Sequence, residues 1–169
     1  SAIDFVEACK AVAAFYFLWR AAKTNSGLDD VYRKLLRAGD EDNGIPPLCA
    51  VKGQDSIKIE NLQKYFRLAL GDLADRAQWL TRATQNLRYD FAKPMCKCAL
   101  FLSAHDTIPD NGSPGLMKPG TPGTRPMIDP RMWNAPDFKS IEHVAPGKGQ
   151  GNWDDQLYES ERFQAIGNL

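Results

Sequence analysis

The sequence predicts a mainly α protein, and three observations carry that prediction. Apolar residues recur at three- and four-residue steps through the first hundred positions. Acidic residues, basic residues and glycines fall where helix starts and stops favour them. A Pro- and Gly-rich stretch after Ala104 then closes the helical region, since no helix or long strand survives it. The chain has 169 residues, 43% hydrophobic and 25% charged, which suits one domain or two small ones and excludes a fibrous or wholly disordered protein.

The first element rests on Phe5, Cys9, Val12, Phe15/Tyr16 and Trp19, an apolar stripe predicting a helix of about 20 residues that ends near Asn25-Ser26-Gly27. A second, shorter helix is expected from Leu28 to Ala38. Asp29 and Asp30 sit in its first turn, Arg33, Lys34 and Arg37 lie toward its end, and Gly39 stops it. Asp40 to Asp55 reads as a loop carrying Gly44, Pro46, Pro47 and Gly53. A third helix is expected from Ser56 to Ala83, burying Ile59, Leu62, Phe66, Leu70, Leu73, Ala77 and Leu80. A fourth segment, Asn86 to Ala104, is expected to break near Pro94 and to supply Cys96, Ala99, Leu100 and Phe101 to a core.

Seven prolines between Pro109 and Pro136, interleaved with Gly112, Gly115, Gly120 and Gly123, make residues 105–137 an irregular connection, pinned by Met127-Ile128 and Met132-Trp133. Phe138 to Val144 alternates well enough for one strand, ended by Pro146 and Gly147. A glycine-rich loop follows to Asn152, then a short helix from Leu157 to Ile166 and a turn at Gly167-Asn168-Leu169. The expected organisation is thus a helical domain over 1–104, a connection over 105–137 and a third part over 138–169.

The 21 basic and 21 acidic residues cancel. A histone-like grip on nucleic acid is therefore excluded, because such binding scales with the phosphates neutralised, although a local basic strip is not. Cys9, Cys49, Cys96 and Cys98 form no C-x-x-C pair, so free thiols, buried or half-buried, in a reducing cytoplasmic compartment are expected. The run Ala11 to Trp19 is too short to span a bilayer, and Asp4 and Glu7 stand where a signal peptide is basic, so no membrane partner is expected.

The stretch Ile141-Glu142-His143-Val144-Ala145-Pro146 is the most informative chemically. His143 is one of only two histidines. A neutral imidazole takes a proton from water, and a neighbouring carboxylate binds a hard divalent cation. Together they suit metal-assisted phosphodiester hydrolysis. On spacing alone, a Glu-His pair at a strand end is more often a solvated surface pair.

Ile-Glu-His-Val-x-Pro, a Trp (Trp153) several residues on, and then Ile-Gly-Asn-Leu resembles the HNH-type nuclease domain at the C-terminus of GmrSD-type modification-dependent restriction endonucleases, which include phosphorothioate-sensing Ssp-type defence proteins. The motif-bearing match runs from Ser140 to Leu169. The resemblance implies a partial ββα-metal (HNH-like) motif after the helical domain and a prokaryotic anti-phage DNA endonuclease or nickase. It implies His143 as general base, Glu142 as ligand of Mg²⁺ or Mn²⁺, and Asn168 as the asparagine that fixes the loop between strand and helix. Pro146 then sets the turn after the strand. The implied partners are DNA, modified or not, and an N-terminal ParB-like nucleotidase domain of the same protein. The family's third site residue, an Asn or His on a final helix, has no counterpart up to Leu169, so an incomplete site is expected.

Other candidates are weaker. His105-Asp106 could orient or ligate a metal, or His105 could satisfy the last carbonyls of a helix. Gly147-Lys148-Gly149-Gln150-Gly151 reads as a flexible loop rather than a phosphate cradle. Lys64, Arg67, Arg76, Arg82, Arg88, Lys93 and Lys97, with Tyr65, Trp79, Gln85, Asn86 and Tyr89 between them, form either a nucleic-acid face or an ordinary charged surface. The alternative to an endonuclease is a non-catalytic helical interaction or DNA-binding module with an incomplete nuclease motif. A further rival is a metal-free RNA-binding or toxin-like helical protein.

Overall fold

The computed structural model describes residues 2–36, 58–141, 144, 154–159 and 164. The protein is mainly helical, and it divides into two compact units, Ser1–Asn86 and Leu87–Leu169. The division falls before the helix over Tyr89–Ala104, which therefore groups with the Pro-rich segment rather than with the helices that precede it.

The first unit comprises α1 (Ala2–Ala22), α2 (Leu28–Leu36), α3 (Ile59–Leu70) and α4 (Arg76–Asn86). Its core gathers Phe15, Trp19, Leu28, Val31, Leu62, Tyr65, Phe66, Leu70 and Leu73. At the centre, Phe15 stacks on Phe66 with centroids 4.3 Å apart, and Tyr32 meets both rings edge-on. Three polar groups tie the helices together. The Tyr65 hydroxyl donates to the Val31 carbonyl at 2.7 Å, Trp79 Nε1 to the Leu18 carbonyl at 2.8 Å, and Asn86 Nδ2 to the Arg20 and Ala21 carbonyls. The last two bonds satisfy carbonyls at the end of α1, which have no partner of their own within the helix.

Two expectations need correction here. The stripe read along α1 is only partly its buried face. Phe15 and Trp19 are buried as read, whereas Phe5 is 71% exposed, and Cys9, Val12 and Tyr16 are also exposed. The helix buries Ala22 with Phe15 and Trp19 and packs Ala8, Ala11 and Leu18 beside them. Apolar residues surround α1 almost completely, so periodicity alone could not choose a face. The long third helix is in fact two. Gly71 ends α3 with φ +57, a conformation only glycine takes readily, and its N–H donates to the Leu68 carbonyl. A 3₁₀ turn follows over Gly71–Ala74. The Asp75 carboxylate then accepts from the Gln78 N–H at 3.0 Å, an N-terminal cap that starts α4 in a new direction. Ala77 and Leu80 consequently face solvent.

The second unit opens with α5 (Tyr89–Ala104). Its regular geometry breaks at Ala92 (φ −123, ψ 28), two residues before Pro94, as the proline ring demands. Cys96 and Phe101 are buried on it, while Ala99 and Leu100 are half-buried. The Pro-rich connection is more ordered than expected. Strands β1 (Thr107–Pro109) and β2 (Met117–Pro119) pair antiparallel, with Ile108 opposite Lys118. A short helix α6 (Pro130–Trp133) is capped by Asp129 and started by Pro130. Met127 is buried and Trp133 packs edge-on against Phe101, whereas the Ile128 side chain is exposed.

Asp106 organises this hairpin. It sits at φ +52, its carboxylate accepts from the Gly123 N–H at 3.0 Å and the Arg125 N–H at 3.3 Å, and its own N–H donates to the Arg125 carbonyl. Its carbonyl accepts from Gly120, where an added Cβ would come within 2.9 Å of that oxygen. Asp106→Ala should remove both side-chain bonds and leave a strained left-handed alanine. Local opening at Gly123 and Arg125 should then become easier by about 2 kcal/mol, visible as faster amide hydrogen exchange there.

The strand expected from Phe138 is absent over its described part. Pro136–Phe138 forms a 3₁₀ turn and Lys139 to Ile141 is not strand. Pro136 favours a helical first turn, and Phe138 turns its ring onto Phe101 at 5.6 Å instead of alternating beside a partner strand. The last described helix, α7 (Gln156–Glu159), starts one residue before the expected Leu157, with Asp154 accepting from the Gln156 N–H. The loops read over 40–55 and 147–152 and the turn at 167–169 lie outside the described residues. Among the described residues no helix is long and apolar enough to cross a membrane.

Candidate functional site

Glu142, His143 and Asn168, the site residues read from sequence, lie outside the described residues, as do Pro146 and Trp153. What is described is the approach to the Glu-His pair. Phe138 packs on Phe101, and Ser140 and Ile141 line a hollow of about 240 Å³ with Lys97, Phe101, Arg125 and Met127. The chain therefore enters the Glu142-His143 motif from a point held against α5, with two cationic side chains at the rim of the same hollow.

Lys97 is anchored by groups of both α5 and α6. Its Nζ donates to the Trp133 carbonyl at 2.8 Å and lies 4.6 Å from the centre of the Trp133 ring and 5.4 Å from that of Phe101. Phe101 of α5 and Trp133 of α6 thus meet at one ammonium. One turn earlier, Lys93 lies 4.9 Å from the ring centre of Tyr89. Lys93 and Lys97 were read only as members of a basic run. Two lysines flanked by aromatics at four-residue steps (Tyr89, Lys93, Lys97, Phe101) were the signal that could have singled them out. Trp133 arrives from far along the chain and had no such signal.

The structure sorts the basic and aromatic residues of the third and fourth segments. Tyr65, Trp79 and Asn86 are spent on the helix-to-helix hydrogen bonds of the first unit. Burial raises the Tyr65 hydroxyl above its usual range, as expected for a donor held inside a core. Arg88 is committed to Asp90 through two bonds, at 3.2 and 2.9 Å, and holds that carboxyl below the ordinary range. Tyr89 is half-buried, with Lys93 Nζ beside its ring.

His105 does not cap carbonyls. Its Nδ1 accepts from the Ile128 N–H at 3.4 Å, and its Nε2 lies 3.5 Å from the Asp106 carboxylate. These contacts tie the helix end to the returning loop. Asp106 Oδ1 accepts from the two backbone amides, and its Oδ2 faces the ring. No group of three or more His, Cys, Asp or Glu side chains that could hold a metal occurs among the described residues.

Of the thiols, Cys96 is fully buried and burial pushes it to about 11, which leaves it protonated and inert at neutral pH. Cys98 is half-buried and also raised by burial, Cys9 is exposed against expectation, and Cys49 lies outside the described residues. In the first unit a wider cleft of about 560 Å³ has an apolar floor of Phe15, Leu18, Phe66 and Trp79 with Arg67 and Arg76 at its edge, a feature no local sequence pattern announces.

In comparison with known proteins, no family model matches the chain and no curated protein matches it.

Proposed function

We propose that the chain is the nuclease part of a prokaryotic anti-phage restriction protein, hydrolysing DNA phosphodiesters by nicking or cutting. The observation that carries this reading is the paired motif, Ile141-Glu142-His143-Val144-Ala145-Pro146 with Ile166-Gly167-Asn168-Leu169. Its support from the fold is the anchored approach, in which Phe138 and Ile141 pack beside Lys97 and Arg125, so that the chain enters the motif next to positive charge suited to phosphate.

The roles follow from the residue types. His143 as neutral imidazole takes the proton of the attacking water. Glu142 supplies a hard oxygen donor of the kind Mg²⁺ and Mn²⁺ prefer, and such a cation supplies charge stabilisation at the leaving oxygen. Asn168 holds the loop that follows. Partners of this reading are DNA, modified or not, and a ParB-like nucleotidase domain of the same protein that senses modification and nucleotide state. Its setting is cytoplasmic, with no membrane partner.

Glu142→Gln tests the metal role. Supercoiled plasmid should be nicked in Mg²⁺ or Mn²⁺ and remain intact in EDTA, and the variant should need roughly tenfold more metal for half-maximal rate, in line with the loss of a ligand-sphere group. Nicking that persists in EDTA, or an unchanged metal requirement, contradicts the assignment.

A further inference from the structure

Tyr89, Lys93, Lys97 and Phe101 follow one another at four-residue steps along α5, across the break at Ala92, and each ring of the row lies beside its neighbouring lysine. Two lysines stand between two rings. Tyr89 and Lys93 are paired at 4.9 Å, and Lys97 sits over Trp133 at 4.6 Å and Phe101 at 5.4 Å. Asp90 is paired with Arg88, and Asp129 with Arg131 at 2.6 Å, while Asp137, as near Trp133 in sequence as Asp129, pairs with neither lysine. Neither Lys93 nor Lys97 forms an ion pair among the described residues. The row is therefore a strip of uncompensated positive charge with aromatic rings at both ends, Tyr89 at one and the 37% exposed Trp133 at the other.

Two chemical requirements meet in such a strip. Lysine ammonium groups one turn apart offer compact charges to successive phosphates of a strand. Flat rings beside them offer stacking surfaces to bases, which is sequence-tolerant because every base has a π-face. A duplex hides those faces. A polypeptide with acidic side chains satisfies the lysines and leaves the rings idle. We infer that the Tyr89–Lys93–Lys97–Trp133 row is a binding strip for single-stranded or locally unstacked DNA, leading along α5 toward the hollow from which the chain enters Glu142-His143. The inference rests on the nuclease reading for its biological substrate, but its geometry belongs to α5 and α6 alone.

The test is fluorescence anisotropy with the full chain and a labelled oligothymidylate in EDTA, where cleavage is silent. Tyr89→Ala should weaken binding about 5- to 100-fold, the range of one lost base stack, and Tyr89→Phe should restore it. Lys93→Gln should weaken binding and lower the slope of log affinity against log salt by about 0.7. Phe91 is an equally informative control. It is a 60% exposed ring two residues from Tyr89 and about 200° around the helix, so Phe91→Ala should leave affinity unchanged. Duplex of the same length should bind more weakly than the single strand. The inference is overturned if the oligothymidylate does not bind, if Tyr89→Ala binds as the unsubstituted chain does, or if polyglutamate competes as well as DNA, which would mark an acidic protein partner. His143→Ala should bind the oligonucleotide normally. Unchanged nicking by that variant would remove the nuclease reading and leave the strip standing, whereas normal nicking by Tyr89→Ala with unchanged affinity would remove only the strip.

Discussion

Phe15→Ala should destabilise the first unit by about 3–5 kcal/mol, the cost of deleting a fully buried phenyl ring from a core that cannot collapse around the gap. Phe15 is 2% exposed, stacks on Phe66 and meets Trp19 and Tyr32. Its removal strips contacts from α1, α2 and α3 together. Domains of this size have roughly 5–15 kcal/mol of total stability, so the loss is a large share of it. Urea unfolding followed by tryptophan fluorescence measures the effect, because Trp19 lies in the same core. Phe5→Ala on the same helix is the contrast: Phe5 is 71% exposed, so its loss should change stability by less than about 0.5 kcal/mol. Equal effects at the two positions would mean that α1 buries a different face.

His143→Ala should lower the rate of DNA nicking by about 10²–10⁴-fold, the usual contribution of a positioned general base. The loss should appear in the rate and not in DNA affinity, because an imidazole acting on water contributes to the transition state rather than to binding. His105→Ala is the matching control. That imidazole accepts from the Ile128 N–H and faces Asp106, so its loss should loosen the end of α5 and the returning loop and leave no direct imprint on the chemical step.

Much of the helical architecture was legible in the sequence. The dipole-matched charges of α2, with Asp29 and Asp30 in its first turn and Arg33 and Lys34 in its last, mark that helix unambiguously. The proline break in α5 was equally readable. Illegible features had physical reasons. The face of α1 was hidden because nearly all its sides are apolar. The split between α3 and α4 depended on one glycine at positive φ followed by an aspartate cap, a weak signal inside a strong periodic pattern. The order in the Pro-rich segment depended on Asp106, whose carboxylate and left-handed backbone tie together residues 17 and 19 positions away. Such a clasp leaves no periodicity to read. Alternation at Phe138 to Ile141 misled because a side chain can alternate in sequence and still turn inward onto Phe101 when no strand lies alongside. The proposed chemistry rests on the sequence motif of Glu142, His143 and Asn168, which lie outside the described residues, and the fold distinguishes Lys93 and Lys97 on α5, which residue spacing alone did not separate from a general basic surface.

The most direct test of the central claim is cleavage of supercoiled plasmid in Mg²⁺ or Mn²⁺ by the protein and by its His143→Ala variant. A metal-dependent nuclease predicts open-circular or linear product from the unsubstituted protein, and a loss of at least about a hundredfold in the variant. Equal cleavage by the two, or none by either at any metal concentration, contradicts the account and leaves a helical binding module in its place.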